Sequence, residues 1–89
     1  MQHLKLLKFS ASWCKPCQKL RKMIEQDGLA DIIEIEEIDV EEDADRTESY
    51  NVRNVPTVIL VTGNGEELRR WSGVTPTLLQ EIRQAITTE

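Results

Sequence analysis

Both cysteines of the chain fall in one pentapeptide, Trp13-Cys14-Lys15-Pro16-Cys17. Two thiols two residues apart can be a structural clip, half of a zinc site, or a reversible disulfide that is itself the reactant. A structural zinc site needs four ligands. Beyond the cysteines the sequence offers one histidine, His3, at the start of the first strand and toward its far end. One chain cannot complete such a site; a site shared between two chains is the remaining metal alternative, and no metal is expected. Reversible thiol chemistry needs two unequal sulfurs, because a thiolate attacks a disulfide and a second thiol then breaks the mixed disulfide. Position makes them unequal. Pro16 is tolerated only in a first helical turn, so a helix begins at or just after Cys14. Cys14 then lies at the helix mouth, where free backbone N–H groups and the dipole favour an anion, with Lys15 beside it. Cys17 lies one turn in, on the apolar side, where burial favours the protonated thiol. Cys14 is the expected nucleophile and Cys17 the expected resolving thiol.

The elements that must hold this pair are legible on either side of it. His3 to Phe9 alternates and is rich in leucine, which suits a strand leading into the motif. Cys17, Leu20 and Ile24 recur at helical spacing, with Met23 beside them, and Gly28 supplies a stop. Ile32 to Val40 predicts a second strand, and Asp43 to Tyr50 a short, weak helix. Thr57 to Thr62 is a nearly continuous β-branched run, as in a strand buried on both faces. Gly63-Asn64-Gly65 predicts a hairpin turn into a strand ending near Trp71. Thr75 is the expected cap of a last helix with Pro76 at its first position, and Leu78, Leu79, Ile82 and Ile86 form its apolar stripe. The order β-α-β-α-β-β-α predicts an α/β fold: one domain over residues 1–89, with a four-stranded mixed central sheet flanked by helices on both faces. Its first two strands are expected to be parallel and its last two to form a hairpin.

Composition narrows the function classes. A chain of 89 residues buries only about two-thirds of its unfolded surface, so its core must be efficient. Net charge is −5, but the charge is segregated. Six of the eleven basic residues precede the first acid, Glu25, and nine of the sixteen acids lie between Glu34 and Glu48. An acidic chain without a long basic stripe is a poor nucleic-acid partner. The acidic run reads as a solvated face, with a partner site as the alternative. No apolar run approaches the ~18 residues of a membrane span. The stretch before Cys14 also lacks the apolar region of a secretory signal. The expectation is a cytoplasmic location without membrane contact, where a lone structural disulfide is poorly placed.

Two separate motifs carry a resemblance. Phe9-Ser10-Ala11-Ser12-Trp13-Cys14-Lys15-Pro16-Cys17 resembles the active-site segment of thioredoxins. Tyr50-Asn51-Val52-Arg53-Asn54-Val55-Pro56-Thr57 resembles their Val-Pro-Thr loop, and Glu37-Ile38-Asp39-Val40-Glu41 their second core strand. Trp71-Ser72-Gly73-Val74 falls where thioredoxins place a glycine-containing substrate loop. The likeness covers nearly the whole chain without the usual strand and helix before the first core strand, so it implies a short, minimal thioredoxin-like fold. It also implies that the Val55–Pro56 bond is cis and faces the disulfide, leaving the Val55 backbone to an extended substrate. Trp13, Gly73 and Val74 are then expected to form an apolar docking patch around the sulfurs. Trp71 is expected to pack in the core.

The function implied by the resemblance is that of a thiol–disulfide oxidoreductase, a protein-disulfide reductase of electron transport and cell redox homeostasis. Its redox centre is the Cys14–Cys17 disulfide, with no other cofactor. Its expected partners are thioredoxin reductase or an equivalent and disulfide-containing proteins, ribonucleotide reductase among the candidates; the expected state is a monomer. The alternative is a thioredoxin-like binding subunit of a larger complex with incidental redox activity. Glutathione chemistry of the glutaredoxin kind is less well matched, since no glycine pair lies near the last helix.

Departures from the thioredoxin pattern bear on tuning. Lys15 stands where typical thioredoxins have glycine, ahead of the shared Pro16. Lys8 and Glu37 stand where thioredoxins carry a buried acid and a facing lysine, the reverse arrangement. Alternation supports this independently by placing Lys8 on the face of Leu4 and Leu6, and Glu37 on the face of Ile33 and Ile35. Two readings stay open: a charge-reversed ion pair beneath Cys17, or two strand-end charges reaching solvent separately. Lys15, Pro16, Lys8 and Glu37 are therefore the expected tuning residues.

Overall fold

The computed structural model describes residues 3–89. Strand β1 (Leu4–Ser10) runs into helix α1 (Lys15–Asp27), and a 3-10 turn over Leu29–Asp31 returns the chain to β2 (Glu34–Asp39). Helix α2 (Ala44–Ser49), the hairpin β3 (Thr57–Thr62) and β4 (Glu67–Ser72), and helix α3 (Leu78–Thr88) complete the order. The sheet order is β2-β1-β3-β4. β2 lies parallel to β1, joined by the α1 crossover, whereas β3 is antiparallel to both β1 and β4. The mixed four-stranded sheet and the element order agree with the sequence expectation.

Sequence pattern explains which face each element covers. On one face Leu6, Val58, Leu60 and Trp71 of the strands pack against Leu20 and Ile24 of α1 and Leu78 and Ile82 of α3. On the other, Leu7, Phe9, Ile38, Ile59 and Val61 are covered by Val40, Tyr50 and Val52. That second cover is thin, because α2 itself buries no residue. Every residue of β3 is buried, as its nearly continuous β-branched run leads one to expect of an interior strand covered on both faces. Trp71 is buried in the first of these clusters, with the Arg69 guanidinium 5.2 Å from its ring centroid, so its part is packing.

Helix α1 ends as its sequence dictates. Gly28 adopts φ 76°, the left-handed conformation that glycine reaches without a Cβ penalty, and its N–H bonds the Ile24 carbonyl. The start of α3 corrects the sequence reading. Thr75 does not cap the helix and Pro76 is not its first residue; the N-cap is Thr77, and the helix begins at Leu78. Thr75 and Pro76 instead form a preceding turn, closed by the Leu78 N–H on the Thr75 carbonyl at 3.2 Å. The second strand is also shorter than Ile32–Val40. The 3-10 turn takes up the chain before it, leaving Ile32 52% exposed while Ile33 is buried.

Candidate active site

β1 is an interior strand between β2 and β3, and its C-terminal end delivers the chain to the cysteines. From Ser10 the backbone turns through Ala11 to Trp13, with the Cys14 N–H bonded to the Ala11 carbonyl at 3.1 Å. Cys14 is the N-cap of α1, in an extended conformation, with Pro16 inside the first turn. Its Sγ accepts the Cys17 N–H at 3.2 Å, one of the donors a helix start leaves free. The two cysteines are joined as a disulfide with their Cα atoms 5.3 Å apart. Ala11, Cys14 and Cys17 form a small apolar cluster against Val40 and Val55. Cys14 is 4% exposed and Cys17 6%. Exposure therefore does not distinguish the two sulfurs, contrary to the expectation that burial would single out Cys17; the cap hydrogen bond does.

The Val55–Pro56 peptide is cis, and Val55 packs on the cysteine cluster as the resemblance implied. Neither the N–H nor the carbonyl of Val55 is engaged by another backbone group among the described residues. Gly73, at φ 80°, donates its N–H to the Pro56 carbonyl at 2.8 Å, which ties the β4–α3 loop to the proline loop. Nothing lies within 4 Å of where a Gly73 Cβ would stand, so its backbone conformation, not space, calls for glycine.

Two open clefts flank Val55. One, of about 450 Å³, is lined by Lys15, Pro16, Lys19, Val55, Pro56, Gly73 and Val74. The other, of about 510 Å³, is lined by Trp13, Val40, Thr47, Val52, Arg53, Asn54 and Val55. Trp13, 65% exposed, thus lies on the opposite side of Val55 from Gly73 and Val74. The expected single patch is two clefts that share one wall.

Lys8 and Glu37 do meet. They are register partners across β1 and β2, with Lys8 Nζ 3.7 Å from Glu37 Oε1. Arg21 Nη2 donates to Glu37 Oε2 at 2.8 Å and Ser10 Oγ to the same oxygen at 2.9 Å. The pair is unequal: the Lys8 side chain is 7% exposed and that of Glu37 40%. Burial lowers the Lys8 pKa, and the Glu37 charge only partly offsets this. Partial burial pushes the Glu37 carboxyl up; hydrogen bonds from Arg21 and Ser10, with the charges of Lys8 and Arg21, outweigh it and leave the pKa below the ordinary value. Glu37 lines a cavity of about 240 Å³ with Cys17, Ser10 and Arg21. The carboxylate and the second sulfur therefore share one space.

Sequence reasoning missed Arg21 and Ser10 as partners of Glu37, although Arg21 sits one helical turn beyond Cys17. It also did not single out Lys19, i+4 from Lys15 on the same helix face, or Arg53, two residues before Val55. His3 lies at the far end of the sheet as expected, 3.3 Å from Glu34.

A helix-capping cysteine pair facing a cis-proline loop, on a β2-β1-β3-β4 sheet, defines a dithiol–disulfide exchange site. The thioredoxin family profile matches residues 1–87, and the chain belongs to that family. Thioredoxin of Staphylococcus epidermidis is 35% identical over 78 residues, 82% of this chain and 71% of that protein. Chloroplastic thioredoxin Y of Oryza sativa is 32% identical over 85 residues, covering 91% of this chain. The chain spans 50% of the length of that relative. Among solved structures, Fasciola hepatica thioredoxin superposes with a TM-score of 0.80 at 27% identity, covering 93% of this chain and 80% of that one. By family and by its cysteine pair, the chain is of the thiol–disulfide oxidoreductase class, a protein-disulfide reductase. No helix among the described residues is long and apolar enough to cross a membrane.

Proposed function

We propose that Cys14 attacks protein disulfides and Cys17 resolves the product, with a dedicated reductase restoring the dithiol. The observation that carries this reading is the Cys14 Sγ at the N-cap of α1, accepting the Cys17 N–H. In the reduced protein the same donor and the helix dipole favour a thiolate at Cys14. That thiolate attacks one substrate sulfur; the substrate S–S bond breaks and the other sulfur leaves with the electron pair. Cys17 then loses its proton and attacks Cys14, releasing the second substrate sulfur and leaving the Cys14–Cys17 disulfide. Two electrons have passed to the substrate, whose thiolates take up two protons. Glu37, sharing a cavity with Cys17, is the carboxylate placed to receive the Cys17 proton, directly or through water.

Val55 supports the docking step. Its free N–H and carbonyl can pair with an extended substrate segment, as a strand adds to a sheet edge. Trp13 on one side, and Gly73 and Val74 on the other, supply apolar walls. The reductase is thioredoxin reductase or an equivalent, and a cytoplasmic role in redox homeostasis fits this chemistry. Reduction of insulin by dithiothreitol, followed as turbidity, tests the reading: the wild-type protein accelerates precipitation and Cys14→Ser abolishes the acceleration. A wild-type rate equal to that of dithiothreitol alone would favour a binding subunit instead.

A further inference from the structure

We infer that the substrate segment taken by this site is acidic, and that Lys15, Lys19 and Arg53 select it. This rests on the proposal that the clefts beside Val55 receive protein disulfides. Every charged residue lining those two clefts is a cation: Lys15 and Lys19 on one side, Arg53 on the other. That is the reverse of the chain as a whole, which carries sixteen acids against eleven basic residues. All three cations are exposed, and none has an ion-pair partner among the described residues. Elsewhere the molecule pairs its cations freely: Lys5 and Arg46 with Glu36, Arg70 with Glu67, Arg83 with Asp27. Of the five lysines and arginines without an ion pair among the described residues, three line these clefts; the other two are Lys22 and Arg69, the latter over the Trp71 ring.

Geometry makes this a selective arrangement. Lys15 and Lys19 are one turn apart on α1, so they face the same cleft in sequence along the helix. An extended segment hydrogen-bonded to Val55 would span from the Lys15–Lys19 wall to Arg53, with its disulfide over Cys14. Carboxylates on either side of the substrate cysteine would meet cations, and basic side chains would meet like charge. Such charge matching acts on encounter and on discrimination between partners more than on final affinity, and it weakens with salt.

The test uses three peptides with the same disulfide, flanked by glutamate, glutamine or lysine. We expect kcat/KM at low ionic strength to run glutamate over glutamine over lysine, by about three- to tenfold at each step. The ratio falls toward one at high salt and in the double variant Lys19→Glu with Arg53→Glu, which leaves Lys15 beside the nucleophile untouched. Turnover of the glutamine peptide reports on the oxidoreductase reading alone. Independently of turnover, a cysteine-free glutamate peptide should bind the oxidised protein more tightly than its glutamine counterpart, read by the fluorescence of exposed Trp13. The same double variant should erase that difference. Equal rates for the three peptides at low salt, or equal binding of the two cysteine-free peptides, would overturn the inference.

Discussion

At the residue scale, the assignment of roles rests on position rather than exposure. Both sulfurs are buried to a similar degree, and Cys14 differs because it caps a helix. This much was legible in the sequence, because Pro16 fixes where the helix starts. The charge beside Cys14 is a second, adjustable influence. Lys15 is expected to favour a thiolate and so the reduced form, which would make the protein a slightly stronger oxidant. Lys15→Gly should therefore lower the reduction potential. One pKa unit corresponds to about 30 mV if it appears wholly in a two-electron couple. The expected decrease is smaller, because Lys15 is exposed and its field is screened. Equilibration against a glutathione redox buffer measures it, and a variant with a higher potential than the parent would contradict the account.

At the element scale, the parallel register of β1 and β2 decides what the sequence left open for Lys8 and Glu37. Alternation gave each residue a face, but only register places them opposite each other. The third partner was harder to see, since Arg21 reaches Glu37 from a helix sixteen residues away in sequence. Its presence changes the expected effect of mutation. Removing Lys8 leaves Glu37 still bonded to Arg21 and Ser10, so Lys8→Met should change stability by less than about 1.5 kcal/mol, in either direction. Glu37→Gln instead leaves a buried ammonium without its counter-charge and should destabilise by about 1–3 kcal/mol. The same variant should slow release of a mixed disulfide more than its formation. In the cycle pairing Lys8→Asp with Glu37→Lys, non-additive stabilities would report the coupling and additive ones its absence.

The pH dependence follows from the same contacts. Glu37 has a folded-state pKa below its unfolded one, so its contribution is present above the unfolded value and is lost as pH falls through the folded value. The parent should lose stability on acidification below about pH 4.5, and Glu37→Gln should lose less over the same window, as urea denaturation at a series of pH values can show. The start of α3 teaches the converse lesson. Thr75-Pro76 carries the stronger local start signal, yet the helix begins after Thr77, and Thr75 and Pro76 form a separate turn closed by the Leu78 N–H on the Thr75 carbonyl.

At the scale of the whole molecule, the sheet brings segments distant in sequence to one end. The cysteines follow β1, Val55 and Pro56 precede β3, and Gly73 and Val74 follow β4, so three strand ends converge on one sulfur pair. The strand order and the antiparallel β1–β3 pairing that produce this convergence could not be read from periodicity, which reports faces and not neighbours. The two clefts that share Val55 likewise appear only once these loops are packed together. The account's central claim is that Cys14 alone makes the first covalent bond to a substrate. Incubating reduced Cys17→Ser with a disulfide-containing protein and mapping the trapped complex by mass spectrometry tests it most directly. The account predicts a stable mixed disulfide through Cys14, and no comparable complex from Cys14→Ser. A complex formed equally well by Cys14→Ser through Cys17 would contradict it.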